Sequence, residues 1–200
     1  YKGYLIKEYF YNYSLHLTDI TINTKNNQTW FHDNYAEDWN VTLVDTGEKT
    51  MTGGRLKRIS RYLDSEEDFC FTYGDGIGDI NISKAINEHK KSGKLATVTA
   101  TQPQGRFGSL SIDKGKIKSF KEQPAEWINA GFFVLKKKVI DRIDGDNCAW
   151  EEKPMESLAS EGQFSVYFHN GFWQPMDTLR DKIKLEKLWN NGDAPWKTWS

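Results

Sequence analysis

The sequence predicts an α/β domain on a mixed, largely parallel sheet with helices on both faces. Three observations carry that expectation. Short β-branched or aromatic runs alternate along the chain with helix-compatible segments, the pattern of βα units. Residues 108–113 and 116–120 alternate apolar with polar around Lys114-Gly115, a hairpin signal that adds antiparallel strands. The apolar run Phe69 to Thr72 stops abruptly in Tyr73-Gly74-Asp75-Gly76, so a carboxylate lies at the carboxyl edge of the sheet, where open α/β sheets bind ligands.

In chain order, Gly3 to Tyr13 is aromatic and helix-compatible, and Asp19 to Thr24 alternates like a strand. Lys25 to Asp38 is polar and turn-rich, a surface loop or hairpin. Val41 to Val44 reads as a second strand, followed by a loop with two glycine breaks through Arg55 and a short basic helix from Leu56 to Leu63. Asp68 to Tyr73 is the organising strand. Ile82 to Lys91 is a helix ending at Gly93, and Leu95 to Thr101 is apolar enough for a strand buried on both faces. After the hairpin come a strand at Trp127 to Leu135, helices at Lys136 to Ile143 and Pro154 to Ser160, and a strand at Gln163 to His169. Thr178 to Asn190 is the last helix, before a tail rich in Pro and Trp. No linker divides the chain, which reads as one domain, with about 178–200 as its C-terminal helix and tail.

The 200 residues suffice for a sizeable core without disulfides or metal as staples. Lys and Arg number 27 against 28 Asp and Glu, a balance that argues against a general nucleic-acid binder but leaves room for a local phosphate pocket. Two cysteines, Cys70 and Cys148, form no framework and fit a reducing cytoplasm. No apolar run reaches the ~18 residues of a membrane helix, so no membrane association is expected. The chain opens on Tyr1-Lys2-Gly3 and reads as beginning inside a domain. His16, His32, His89 and His169 have no metal spacing and receive no role.

Two aspartates stand out. Asp75 lies between glycines that let a bulky ligand approach, and it suits Mg²⁺ bound to nucleotide phosphates; it also reads as a helix cap after a βα turn. Asp177 follows Pro175 and precedes the last helix, and standing alone it reads better as an N-cap. Together, at the carboxyl ends of separate strands, the pair could hold one Mg²⁺. Thr52-Gly53-Gly54-Arg55 offers backbone N–H groups and a planar cation to a base or phosphate, or else begins a solvent-facing basic helix. Phe107-Gly108 and Asn129-Ala130-Gly131 set a bulky or amide group beside a glycine, as in a sugar pocket or a bulge. Glu122 could accept from sugar hydroxyls or lie exposed at a strand end.

The motifs YGDG (73–76), RFG (106–108), FKEQP (120–124), INAGFFVL (128–135), GFWQPMDTLRDK (171–182) and APWKTW (194–199), with DTGEKTMTGGRLKR (45–58), resemble bacterial glucose-1-phosphate cytidylyltransferases over almost the whole chain. The resemblance implies a Rossmann-like mixed sheet of the nucleotide-diphospho-sugar transferase type. It implies formation of CDP-glucose and pyrophosphate from CTP and a hexose 1-phosphate, with Mg²⁺ as cofactor. Asp75 and Asp177 would be the catalytic metal ligands. Thr52, Gly53, Gly54, Arg55, Tyr73 and Gly74 would face the nucleotide; Phe107, Gly108, Glu122, Gln123, Asn129 and Gly131 would face the sugar phosphate. A homo-oligomer is implied, with the Trp-rich tail as a candidate interface. There are two departures. Nothing matches the family's N-terminal Gly-rich loop with its Arg and Lys, and Gln123 stands where the family usually has Lys. These departures give the expectation that the 200 residues alone are inactive, or that the chain is a non-catalytic homologue that binds sugar nucleotides or serves in assembly.

Overall fold

The computed structural model describes residues 2–63, 67–102, 109–113, 116–121 and 126–199. The chain forms two compact units, Tyr1–Thr50 and Met51–Ser200, with all the candidate site residues in the second.

In the first unit, helix α1 (Gly3–Tyr11) breaks at Asn12 and continues as the single turn α2 (Tyr13–His16). Tyr9, Phe10, Tyr13 and Trp39 form edge-on, stacked and tilted ring pairs. Strands β1 (Thr18–Asn23) and β2 (Gln28–Asn34) pair antiparallel, so the polar stretch after residue 24 is a hairpin. Its turn uses asparagine chemistry: Asn27 takes the left-handed conformation at φ 56°, and the Asn23 and Asn26 side chains accept from the Lys25 and Gln28 N–H groups. The strand expected at Val41 to Val44 does not form. Among the described residues no neighbouring strand pairs with it, and β propensity without a ladder has nothing to act on.

In the second unit, helix α3 begins at Thr52 and runs to Arg58, four residues before the expected Leu56, and a 3₁₀ turn follows over Ser60–Leu63. The next elements are β3 (Asp68–Thr72), β4 (Gly76–Gly78), α4 (Ile82–Ser92) and β5 (Ala96–Thr101). The expected hairpin is β6 (Ser109–Asp113) with β7 (Lys116–Lys121). Then come β8 (Ile128–Lys136), a 3₁₀ turn at Lys137–Arg142, α5 (Lys153–Ser160), β9 (Phe164–His169), β10 (Trp173–Pro175) and α6 (Leu179–Asn190). Asn81 caps α4 by accepting from the Lys84 N–H, and Gly93 closes it at φ 64°.

The main sheet has the order β3-β8-β5-β9. β5 and β9 pair parallel; β8 pairs antiparallel with both β3 and β5. Three of these four strands therefore run the same way, as the sequence suggests. The largely parallel pairing it suggests is not found, because the reversed β8 sits between β3 and β5. Alternation along the strands sorts side chains between two covered faces. Phe69, Phe71, Phe133, Leu135, Ala96 and Val98 join Leu56, Trp150 and Leu158 in the core beneath α3 and α5. On the opposite face Thr97 bonds the buried His89 of α4 at 2.8 Å, and Asp68 lies 3.6 Å from the same ring. Burial pushes the His89 pKa down. The tail turns back on its own unit, with the Trp196 ring 5.5 Å from Phe172, while Trp199 stays exposed.

Candidate active site

The carboxyl ends of β3, β5 and β9 and the start of β8 share one edge of the sheet, since Thr72 pairs with Phe132 and Thr101 with both Ile128 and His169. At this edge β4 and β10 form a short antiparallel ribbon, Gly78 opposite Trp173 and Gly76 opposite Pro175. One further bond, Met176 N–H to Asp75 O at 2.8 Å, continues the pairing. Asp75 thus lies opposite Met176, one residue from Asp177. Both aspartates are exposed, and neither carboxylate has a hydrogen bond or ion pair among the described residues. A Cβ on Gly74 would meet no atom within 4 Å, so the space beside Asp75 is open. Among the described residues no cluster of three or more His, Cys, Asp or Glu is arranged to hold a metal.

Asp177 does not cap the last helix. Thr178 does, accepting from the Asp181 N–H while the Asp181 carboxylate accepts from Thr178 in return, a reciprocal capping box. Gln174 ties the ribbon to the same helix through Asp181 at 3.2 Å and Lys184 at 2.7 Å. Trp173 donates its indole N–H to Ala130 O at 2.9 Å. The backbone on either side of Asp177 is therefore fixed while its carboxylate stays uncommitted.

At Thr52–Arg55, where the sequence offers backbone N–H groups to a base or phosphate, those of Gly54 and Arg55 are taken up within the fold. Gly53 and Gly54 are buried, and Gly54 N–H donates to Cys148 O. A Cβ on Gly53 would come within 2.7 Å of that carbonyl, so the glycine allows α3 to pack closely on residues 148–150. The Arg55 N–H goes to Met51 O. The half-buried side chains of Thr52 and Arg55, rather than glycine N–H groups, are what this segment presents.

Thr52 Oγ1 accepts from Trp150 N–H at 2.9 Å and donates to Glu151 Oε2 at 2.6 Å. The other Glu151 oxygen accepts from the Tyr73 hydroxyl, and Asn129 Oδ1 accepts from the Gly131 N–H at 2.8 Å. Burial, with the Glu151 carboxylate beside it, pushes the Tyr73 pKa well up, so the phenol stays a neutral donor. Gly131 has φ 77° at a register shift between β5 and β8, and a Cβ there would lie 2.7 Å from the Tyr73 ring. Asn129 to Gly131 thus forms a bulge with close packing on Tyr73. Thr52, Tyr73, Asn129 and Gly131 are thereby drawn together. Phe107, Gly108, Glu122 and Gln123 lie outside the described residues.

Glu151 escaped the sequence reading because nothing in Trp150-Glu151-Glu152 signals contacts with residues so distant in the chain. His169 escaped it too. It ends β9 with Nε2 3.0 Å from both Phe172 O and Asp79 Oδ1, and a histidine closing a strand before Asn-Gly was its only signal.

The model of the nucleotidyl transferase family matches residues 4–178. A glucose-1-phosphate cytidylyltransferase of Salmonella typhi is 55% identical over the whole chain, which covers 79% of that protein. A probable glucose-1-phosphate cytidylyltransferase of Bacillus subtilis is 37% identical with the same coverage. Among solved structures, HddC of Yersinia pseudotuberculosis aligns with TM-score 0.55 at 22% identity, over 71% of this chain and 64% of that one, which bears on the fold. No helix among the described residues is long and apolar enough to cross a membrane. With the family match over most of the chain and relatives alike from end to end, this chain belongs to the nucleotidyl transferase family.

Proposed function

We propose that the protein forms CDP-glucose and pyrophosphate from CTP and glucose 1-phosphate, with Asp75 and Asp177 as the ligands of one Mg²⁺. The observation that carries this reading is the β4–β10 ribbon, which sets the two otherwise uncommitted aspartates one residue apart across its end, at the sheet edge where ligands of α/β proteins bind. Two free carboxylates suit Mg²⁺, which takes one or two from protein and completes its octahedron with phosphate oxygens and water. The 55% identity to a glucose-1-phosphate cytidylyltransferase supports the choice of substrates.

In the reaction, a phosphate oxygen of glucose 1-phosphate attacks the α-phosphorus of CTP and pyrophosphate leaves on the opposite side. When bound, Mg²⁺ neutralises charge on the reacting phosphates. The chain's own groups position the reactants. Thr52 and Arg55 border the base and ribose, and the open face of Gly74 admits the phosphates. Tyr73, held by Glu151, fixes the boundary between the nucleotide and sugar sides. The same reading places the protein in the cytoplasm as a homo-oligomer.

The test is pyrophosphate release from glucose 1-phosphate and Mg²⁺ with CTP or UTP by the chain joined to the family's N-terminal Gly-rich segment, since the 200 residues alone are expected to be inactive, alongside equilibrium binding of CDP-glucose. The expected kcat/KM favours CTP by at least about tenfold. Equal use of both nucleotides contradicts a cytidylyl specificity. Binding of CDP-glucose without turnover would favour the non-catalytic homologue instead.

A further inference from the structure

We propose that His169, with Asp79, is a positioning residue that pins the far end of the β4–β10 ribbon and so holds Asp75 and Asp177 in register. This rests on the metal reading above. The ribbon pairs three residues on each strand, too few to persist alone. Its end opposite the aspartates meets β9. There Asp79, just after β4, donates its N–H to Phe172 O, just before β10, at 3.1 Å. The buried His169 ring touches both strands at once, with Nε2 3.0 Å from Phe172 O and 3.0 Å from Asp79 Oδ1. Both neighbours are acceptors, so Nε2 carries the proton. The N–H is directed at the carbonyl. The buried Asp79 Oδ1 therefore lies at ion-pair distance yet without a directed hydrogen bond.

A buried carboxylate oxygen left in that state costs stability, and an apolar pair would avoid the cost. The polar pair instead ties three consecutive pieces of the sheet edge, β9, β4 and β10, through one ring. Gly171 makes room for it: a Cβ there would lie 2.4 Å from Asp79 Oδ1 and 2.7 Å from His169 Cε1. The ring, bonded to Phe172 O and in contact with Asp79, thus sets the spacing of the two strands whose other ends carry the aspartates.

The experiment is Mn²⁺ titration by electron paramagnetic resonance of the protein saturated with CDP-glucose, with the CTP-to-UTP preference measured in parallel. His169→Leu removes the N–H, His169→Gln keeps one at similar reach, and Gly171→Ala wedges the pair apart without changing a polar group. His169→Leu and Gly171→Ala are expected to weaken Mn²⁺ binding by about 10–100-fold, the usual effect of removing support behind metal ligands. The base preference should be unchanged, and His169→Gln should recover most of the affinity. General loosening of the fold would lower affinity and base preference together, and that outcome overturns the proposal. Should His169→Leu not fold, Gly171→Ala and His169→Gln decide. Unchanged Mn²⁺ affinity in Gly171→Ala, or loss in His169→Gln equal to that in Gly171→Ala, overturns it. Asp177→Asn separates the two levels of the reading. If it loses Mn²⁺ while Gly171→Ala does not, the pinning role fails alone. If Asp177→Asn binds Mn²⁺ normally, the metal reading fails and takes the pinning role with it.

Discussion

Tyr73 follows the strand β3 and meets groups from two other parts of the chain. Its ring fills the space that a side chain at Gly131 would need, and its hydroxyl joins it to Glu151. Tyr73→Phe keeps the ring and deletes the join. Because Glu151 is solvent-exposed, the lost bond is expected to cost about 1 kcal/mol in urea denaturation, below the usual range for a bond to a charged group. Glu151→Gln should cost a similar amount, and the double variant little more than either single one. Additive losses would mean that the two side chains act separately. At this scale the sequence exposes residue types but not partners. Asp75 stands out because glycines flank it, whereas Glu151 looks like any acidic residue near a helix start.

At the scale of elements, the ribbon and helix α6 act together. Trp173-Gln174-Pro175 forms the strand β10, and Thr178 begins the capping box two residues after Met176 bonds to Asp75. Asp177 is what remains between them. Thr178→Ala removes the cap and is expected to cost ~1 kcal/mol. For a chain of this length that lowers Tm by about 2–4 °C, read by thermal denaturation. An unchanged Tm would mean that the cap contributes nothing to the anchoring. The strands over 68–72, 96–101, 128–136 and 164–169 were legible because their side chains are sorted by a sheet that exists around them. Residues 41–44 carry the same alternation and form no strand, since periodicity cannot report whether a partner is present. The glycines at 53 and 54 misled in the other direction. They read as a loop break, yet they lie inside a helix where close packing on Cys148 requires the glycine at 53.

Over the whole second unit, the βα alternation expressed in the sequence places the ends of β3, β5 and β9 at one edge, and that much could be read directly. The reversal of β8 between β3 and β5 could not, because a strand's direction is set by the path of the chain and not by its residues. The central claim is that this edge brings Asp75 and Asp177 to one metal. Its most direct test is the double-mutant cycle of Asp75→Asn and Asp177→Asn on Mg²⁺-dependent CDP-glucose formation. Each single variant should lower kcat by about 10²-fold or more, and the double variant should be scarcely slower than the worse single one, as for groups that act as a unit. Multiplicative losses, or a single variant with the wild-type rate and Mg²⁺ dependence, would contradict the shared site.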